Sequence, residues 1–229
     1  MGIVLYDLAA REGRRMSPFC WRTKYALAHK GLAFEAVATR FTEIPTICGG
    51  GQKTVPVIED AGRTIADSWK IAEYLEEAYP EGPSLFGGPG GRALSRFMQN
   101  WTGATVHMGL FPMVVKDIHD HIDPADQPYF RENREKRLGK TLEEAQAGRD
   151  GKVEPFVRSL LPLRLTLKEQ PFLGGDEPLY ADYIVFGAFQ WVRGISPLKL
   201  LAADDPVQAW VERCRNLYGG LGRSSPGYD

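Results

Sequence analysis

The 229-residue chain has few cysteines, almost no net charge and no long apolar run, and each shortage removes a class of protein. Three cysteines are too few, and odd in number, for a disulfide framework, and they suit a reducing compartment. The 28 Lys and Arg residues nearly balance the 29 Asp and Glu residues, so the charge gives no reason to expect nucleic acid as a partner. The longest stretch without a formal charge, residues 97–115, is too polar for a membrane span. The short apolar run at the N-terminus does not resemble a signal peptide, and we expect a cytoplasmic protein.

Glycine and proline are concentrated in one segment, where eight of the twelve residues from Pro80 to Gly91 are of these two types. This density of helix and strand breakers predicts a linker over residues 81–91. Before the linker, short apolar runs alternate with helical patterns in the order β-α-β, an irregular stretch, then β-β-α. After it the periodicity is helical throughout. The pattern predicts a small α/β domain followed by an all-helical domain.

The first predicted helix, Pro18 to Lys30, has clear start and stop signals. Ser17 is placed as its N-cap, proline occupies its first turn, and Gly31 follows its end. In the helical half, Asp205 and Pro206 begin a terminal helix in the same way. Residues 183–192 are apolar nearly all round, which predicts a buried central helix.

Ser17 stands where the loop after the first strand meets the first helix. Unpaired backbone N–H groups and the helix dipole favour an anion at such a place. A thioredoxin-like redox site has Cys-x-x-Cys here, and Ser17 to Cys20 keeps that spacing with oxygen replacing the outer sulfur. A serine hydroxyl cannot form a mixed disulfide, but it can donate a hydrogen bond to a substrate thiolate and lower that thiol's pKa. The alternative reading is a helix cap with no chemical role.

Two later segments are also candidates for ligand binding. Val55-Pro56 follows a polar loop and opens a strand, and a cis bond there would expose the Val55 backbone to a peptide-like ligand. Asp67-Ser68 opens a helix, where N–H groups and a hydroxyl can hold a carboxylate while Asp67 pairs with an ammonium. Each segment also suits a plain structural role, as a turn or a helix cap.

Taken together and in order, these segments resemble the glutathione site of cytosolic glutathione transferases, and the resemblance covers the whole chain. In the helical half, residues 174–176 and 181–183 resemble the structural capping motif of this family, although Leu179 stands where the family has Ser, Thr or Asn. Further runs are similar to bacterial glutathione-dependent β-aryl etherases and their fungal etherase-like relatives. The runs that carry this resemblance are Leu5–Leu8, Trp21–Leu27, Asp67–Trp69, Ile71–Leu75 and Leu217–Gly222.

The resemblance implies a fold and a set of partners. The fold is an α/β thioredoxin-like N-terminal domain over residues 1–80 joined to an all-α helical-bundle C-terminal domain over residues 92–229. Glutathione would bind along the first domain as a co-substrate, and a hydrophobic aromatic substrate would bind between the two domains. Relatives of this kind are commonly homodimers.

The resemblance also assigns roles residue by residue. Ser17 would hydrogen-bond the glutathione sulfur, and Val55, before a cis Pro56, would pair with the cysteinyl backbone. Asp67 and Ser68 would hold the γ-glutamyl end. The glycyl carboxylate would lie within reach of Gln52 or Lys53, and the electrophile would lie against Phe19, Met108 and Phe111.

The implied activity is that of a glutathione transferase, in its sharpest form an etherase whose thiolate displaces a phenolate from the carbon beside a ketone. Arg14 or Arg15 would be candidates to stabilise the departing phenolate. A thiol reductase or lyase would need sulfur at position 17, because Cys20 lies one helical turn further in. A carrier that binds glutathione and flat aromatics without turnover is the other alternative.

A possible metal site is set aside. Asp117, His119, His121 and Asp123 are residue types that bind metals, but on a helix the two histidines point about 200° apart. We therefore expect no metal.

Overall fold

The computed structural model describes residues 2–228, so residues 1 and 229, the outer ends of the two predicted domains, lie outside the described residues. The N-terminal half is a four-stranded sheet in the order β2-β1-β3-β4. Strand β1 pairs in parallel with β2 and antiparallel with β3, and β3 pairs antiparallel with β4. The strands are β1 (Ile3–Leu8), β2 (Phe34–Thr39), β3 (Val57–Asp60) and β4 (Arg63–Ala66), with helices α1 (Pro18–His29) and α2 (Ser68–Ala78). This is the predicted thioredoxin-like arrangement.

The rest of the chain is helical, as predicted, and surrounds one buried helix. Helix α9 has every residue buried, and it makes extensive contact with α1. None of the described helices is long and apolar enough to cross a membrane. The helices are α3 (Pro89–Trp101), α4 (Met108–His121), α5 (Gln127–Leu138), α6 (Leu142–Gln146), α7 (Asp150–Ser159), α8 (Leu161–Glu169), α9 (Tyr180–Ile195) and α10 (Pro206–Gly220).

The predicted start and stop signals of the helices are confirmed. The Ser17 side chain caps α1, and Gly31 beyond its end has a φ of +70°. The Asp205 carboxylate caps α10 by accepting from the Val207 N–H at 2.8 Å.

The prediction that residues 81–91 exclude regular structure is wrong at their C-terminal end, because α3 begins at Pro89. Proline suits the first position of a helix, where its missing N–H costs nothing. A Cβ atom at Gly91 would lie 1.7 Å from the Phe86 carbonyl oxygen. Glycine at position 91 therefore permits a close backbone approach and does not break the helix.

Helix α9 starts without a capping side chain, since Leu179 has none to offer. The Asp182 carboxylate instead accepts the backbone N–H groups of Leu173, Gly174 and Leu179 at 2.7–3.0 Å, and the indole N–H of Trp210 at 2.9 Å. Burial raises the pKa of this carboxyl, and the four donors oppose the rise. Asp182 therefore organises the start of α9 although Leu179 cannot cap it.

Two glycines of α9 allow the first residue of α1 and the loop before it to lie directly on α9. A Cβ atom at Gly187 would be 2.4 Å from the Pro18 carbonyl oxygen, and one at Gly194 would be 3.0 Å from the Arg15 carbonyl oxygen. The two positions lie seven residues apart and so on one face of the helix. This face of α9 fixes the position of the loop that contains Ser17.

We predict that Gly187→Ala destabilises the protein by about 1–3 kcal/mol, because the added methyl meets backbone that has no room to move away. Denaturant unfolding measures the loss, and hydrogen exchange at residues 15–20 shows whether the loop has moved. Gly151→Ala is the matched control, since a Cβ there meets nothing within 4 Å. Equal stability of the two variants would contradict the close contact.

Candidate functional site

Ser17 lies at the start of α1 with its side chain fixed in place. Its Oγ accepts a hydrogen bond from the Cys20 N–H at 3.1 Å, and the residue is 4% exposed. A hydroxyl that accepts through its oxygen keeps its own proton for donation. The site therefore offers a positioned O–H donor beside the positive end of a helix.

The Val55–Pro56 peptide bond is cis, as predicted. Strand β3 begins at Val57, two residues later than expected, and Val57 pairs with Tyr6 near the end of β1. The Pro56 carbonyl oxygen accepts the Asp67 N–H at 3.3 Å. This bond joins two of the predicted ligand-binding segments where β3 begins and β4 ends.

Asp67 is the N-cap of α2 and has an unusual backbone conformation. Its φ of +81° is in the left-handed region, which non-glycine residues occupy mainly at constrained sites. Its Oδ1 accepts the N–H groups of Trp69 and Lys70 at 3.0 and 3.1 Å. The next residue, Ser68, is buried, and its carbonyl oxygen accepts the Tyr180 hydroxyl at 2.7 Å. These bonds hold the α2 N-terminus against α9.

Gln52 and Lys53 are less well placed than the other predicted residues. They follow three consecutive glycines with positive φ, and Lys53 is exposed while Gln52 is half-buried. Neither side chain hydrogen-bonds any part of the chain that the structure describes. The structure thus does not join them to the rest of the site.

Two of the three predicted apolar residues, Phe19 and Phe111, are connected through His107 and Trp191, which sequence reasoning missed. The third, Met108, follows His107 directly in the chain. Phe19 and Met108 are 41% and 69% exposed. The His107 ring packs edge-on against Phe19, with ring centres 5.4 Å apart, and against Trp191 at 5.9 Å. Phe111 stacks on Trp191, with ring centres 6.5 Å apart. The result is a partly open aromatic wall next to Ser17.

His107 reaches this position because α3 does not run straight into α4. Residues Thr102–His107 form a π-helix, a wider turn that changes which side chains share a face. No spacing rule for an ordinary helix reveals such a turn, so spacing in the sequence could not identify His107.

Arg22 lies behind the wall as a buried cation. It is 2% exposed, and its guanidinium lies 4.7 Å from the centre of the Phe19 ring. Burial lowers its pKa, while nearby Tyr180 and Asp67 oppose that effect. Its Nε has no hydrogen-bond partner among the described residues. The sequence identified Arg22 only as part of a family motif.

Other predicted candidates are occupied elsewhere. Arg14 donates to the Gly194 carbonyl oxygen at 3.0 Å, and Arg15 lies 3.3 Å from the Asp7 carboxylate. Cys20 is fully buried, and burial raises the pKa of its thiol. These contacts favour structural roles for the three residues.

The set of possible metal ligands on α4 is also in other contacts. Asp117 accepts from Arg149 and Gln146, each at 2.7 Å, and His121 hydrogen-bonds Tyr228 at 2.9 Å. In residues 2–228 there is no group of three or more His, Cys, Asp or Glu side chains arranged to hold a metal ion.

The environment of His107 predicts an acid-sensitive stability. Burial, reinforced by the Arg22 charge, lowers the pKa of His107 to about 4, whereas an unfolded histidine has a pKa near 6.5. Between these values the unfolded chain binds the proton more readily, so the contribution is complete above pH ~6.5 and is lost as the pH falls toward 4. We expect His107→Phe to remove up to about 3 kcal/mol of this acid dependence.

The measurement is the free energy of unfolding of both proteins at pH 4 to 7.5. Only the difference between the two curves reports His107, because carboxylates titrate in both. Parallel curves would show that His107 titrates like an exposed histidine.

Two family comparisons account for most of the chain. The glutathione S-transferase N-terminal domain family matches residues 16–78, and the glutathione S-transferase C-terminal domain family matches residues 93–217. A probable glutathione S-transferase of Oryza sativa subsp. japonica is 27% identical over 216 residues, which cover 87% of this chain and 80% of the relative. A glutathione S-transferase of Arabidopsis thaliana is 24% identical over 205 residues, covering 86% and 81%.

Solved structures agree with the sequence comparisons. A glutathione transferase of Phanerochaete chrysosporium superposes with a TM-score of 0.77 at 28% identity, covering 96% of this chain and 92% of that one. A glutathione S-transferase of Ceriporiopsis subvermispora, solved in complex with glutathione, gives a TM-score of 0.80 at 24% identity, covering 95% and 96%. With both domain families matched, and this fold, the chain belongs to the glutathione S-transferase family.

Proposed function

We propose that this glutathione S-transferase is of the serine type and acts as an etherase. The observation that carries the proposal is the Ser17 hydroxyl, held at the α1 N-terminus with its proton free to donate. A hydrogen bond from Ser17 to the glutathione sulfur lowers the thiol pKa, because it favours the charged form. The positive end of the helix acts in the same direction.

The neighbouring segments supply the remaining contacts to glutathione. Val55, before the cis Pro56, pairs with the cysteinyl backbone of glutathione. Asp67 uses Oδ1 for its cap, which leaves Oδ2 for the γ-glutamyl ammonium, and Ser68 holds the γ-glutamyl carboxylate. Gln52 or Lys53, on the loop before Val55, binds the glycyl carboxylate. The fit of these groups to a peptide with charges at both ends supports the assignment.

Phe19, Met108 and Phe111 form the electrophile site in this proposal. Their exposed aromatic and thioether surfaces suit a flat hydrophobic substrate. In the reaction, the thiolate sulfur forms a bond to the carbon beside the ketone. The bond between that carbon and the ether oxygen breaks, and the phenolate leaves with the bonding electron pair and takes up the proton released by the thiol.

The two alternatives make different demands. A thiol reductase or lyase needs an accessible thiolate, and the only cysteine in this motif, Cys20, is fully buried with a raised pKa. A non-catalytic carrier of glutathione and aromatics needs no activated thiol, and turnover separates it from the transferase.

We also propose a cytoplasmic homodimer. Leu94 and Phe97 are 38% and 64% exposed on α3, and exposed apolar side chains of this size favour burial against a second copy. Cys20, Cys48 and Cys214 are free thiols, in keeping with a reducing compartment. Light scattering of the purified protein tests the dimer.

We predict that Ser17→Ala lowers the rate of phenol release from a fluorogenic β-aryl ether ketone at least about ten-fold, since losing one pKa unit of thiol activation has that effect. Thiolate absorbance of bound glutathione across pH should show its pKa moving toward that of the free thiol. Mass spectrometry identifies the glutathione adduct.

Thr141→Ala is the matched control. It removes a helix N-cap of the same kind on α6, far along the chain from Ser17. Each variant loses about 1 kcal/mol of cap stability, so only the effect on the thiol should differ. Glutathione that titrates like the free thiol in the wild-type protein would exclude the role of Ser17, and aromatic binding without any adduct would favour the carrier.

A further inference from the structure

His107 is a polar residue in an aromatic environment that does not satisfy its hydrogen-bonding groups. Its ring lies between Phe19 and Trp191, and its Nε2 is shielded from solvent without a hydrogen-bond partner. A buried polar atom without a partner destabilises a protein, whereas an apolar ring of similar shape would not. Packing alone would therefore favour phenylalanine at this position.

The surroundings leave the imidazole neutral and able to hydrogen-bond. The Arg22 guanidinium lies on the same Phe19 ring and repels a second positive charge, and burial has the same effect. A neutral imidazole has one N–H donor and one acceptor nitrogen. The other nitrogen, Nδ1, has no hydrogen-bond partner among the described residues and, unlike Nε2, is not fully shielded from solvent.

The accessible part of this group adjoins the aromatic wall. Phe19 belongs to the same turn as Ser17, and Met108 follows His107 directly in the chain. An aromatic ring packed on Phe19 and Met108 would bring a substituent oxygen alongside the imidazole.

We propose that His107 is a specificity-determining residue that hydrogen-bonds the ketone oxygen of an aromatic substrate. The substrate class is then aryl ketones, and hydrocarbons of the same shape are selected against. This inference rests on the electrophile site of the proposed function, but it concerns recognition and not thiol activation.

The test compares binding of acetophenone with binding of ethylbenzene, which has the same outline without the oxygen. Calorimetry is performed on the wild-type protein, His107→Phe and His119→Gln, with and without glutathione. His119 is the control, because it lies on α4 and hydrogen-bonds Asp120. We expect the ratio of acetophenone affinity to ethylbenzene affinity to be about five- to ten-fold higher in the wild type and the control than in His107→Phe. This is the effect of one hydrogen bond. The melting temperature of His107→Phe should be no lower than that of the wild type.

The outcomes separate this inference from the etherase proposal. Loss of the ketone preference in His107→Phe, with ethylbenzene binding retained, supports the inference even if no phenol is released from the aryl ether. An unchanged preference overturns it even if the etherase reaction proceeds. If neither acetophenone nor ethylbenzene binds the wild type, the inference is also overturned. A lower melting temperature of His107→Phe overturns it too, because it would show that His107 has a structural role.

Discussion

The contact between helix α9 and the loop before α1 is the constraint on which the rest of the structure depends. Backbone meets backbone there, because Gly187 and Gly194 have no side chains to separate the two elements. The α/β domain contributes the hydroxyl of Ser17, and the helical domain contributes most of the aromatic wall. A site built from both domains needs a rigid interface between them, and direct backbone contact provides one.

The same interface contains polar groups that an ordinary core would not tolerate. Arg22 is a buried cation whose Nε has no hydrogen-bond partner among the described residues, and His107 is a half-buried imidazole whose buried Nε2 also lacks one. Such groups reduce stability, and natural proteins keep them mainly where function needs them. The close packing of α9 and the hydrogen bonds of Asp182 at its start stabilise the fold and offset the cost of these groups.

Local rules predicted the fold well because its elements have strong local signals. Ser17, Pro18 and Gly31 define α1 through capping chemistry, and the strands and helices of the first domain follow in the predicted order. The linker was predicted too long, because sequence alone does not distinguish a glycine needed for close backbone approach from a glycine that breaks a helix. Gly91 is such a case, and only the position of the Phe86 carbonyl distinguishes the two.

The site was predictable to the extent that it consists of contiguous motifs. The backbone hydrogen bond between Asp67 and Pro56 brings two of the predicted segments together. His107 and Trp191, in contrast, join the wall through tertiary packing and a π-helix. Arg14 and Arg15 show the opposite failure. The sequence made them candidates to stabilise a phenolate, but the Gly194 carbonyl oxygen and the Asp7 carboxylate engage them.

The π-helix at residues 102–107 also bears on how such a site changes during evolution. A π turn accommodates one residue more than an α turn, and a residue added to or removed from a helix rotates everything beyond it by about 100°. A single-codon deletion in this segment would thus turn a different set of side chains toward Phe19 in one step. The aromatic wall is therefore open to change by insertion and deletion, while the α/β domain stays untouched.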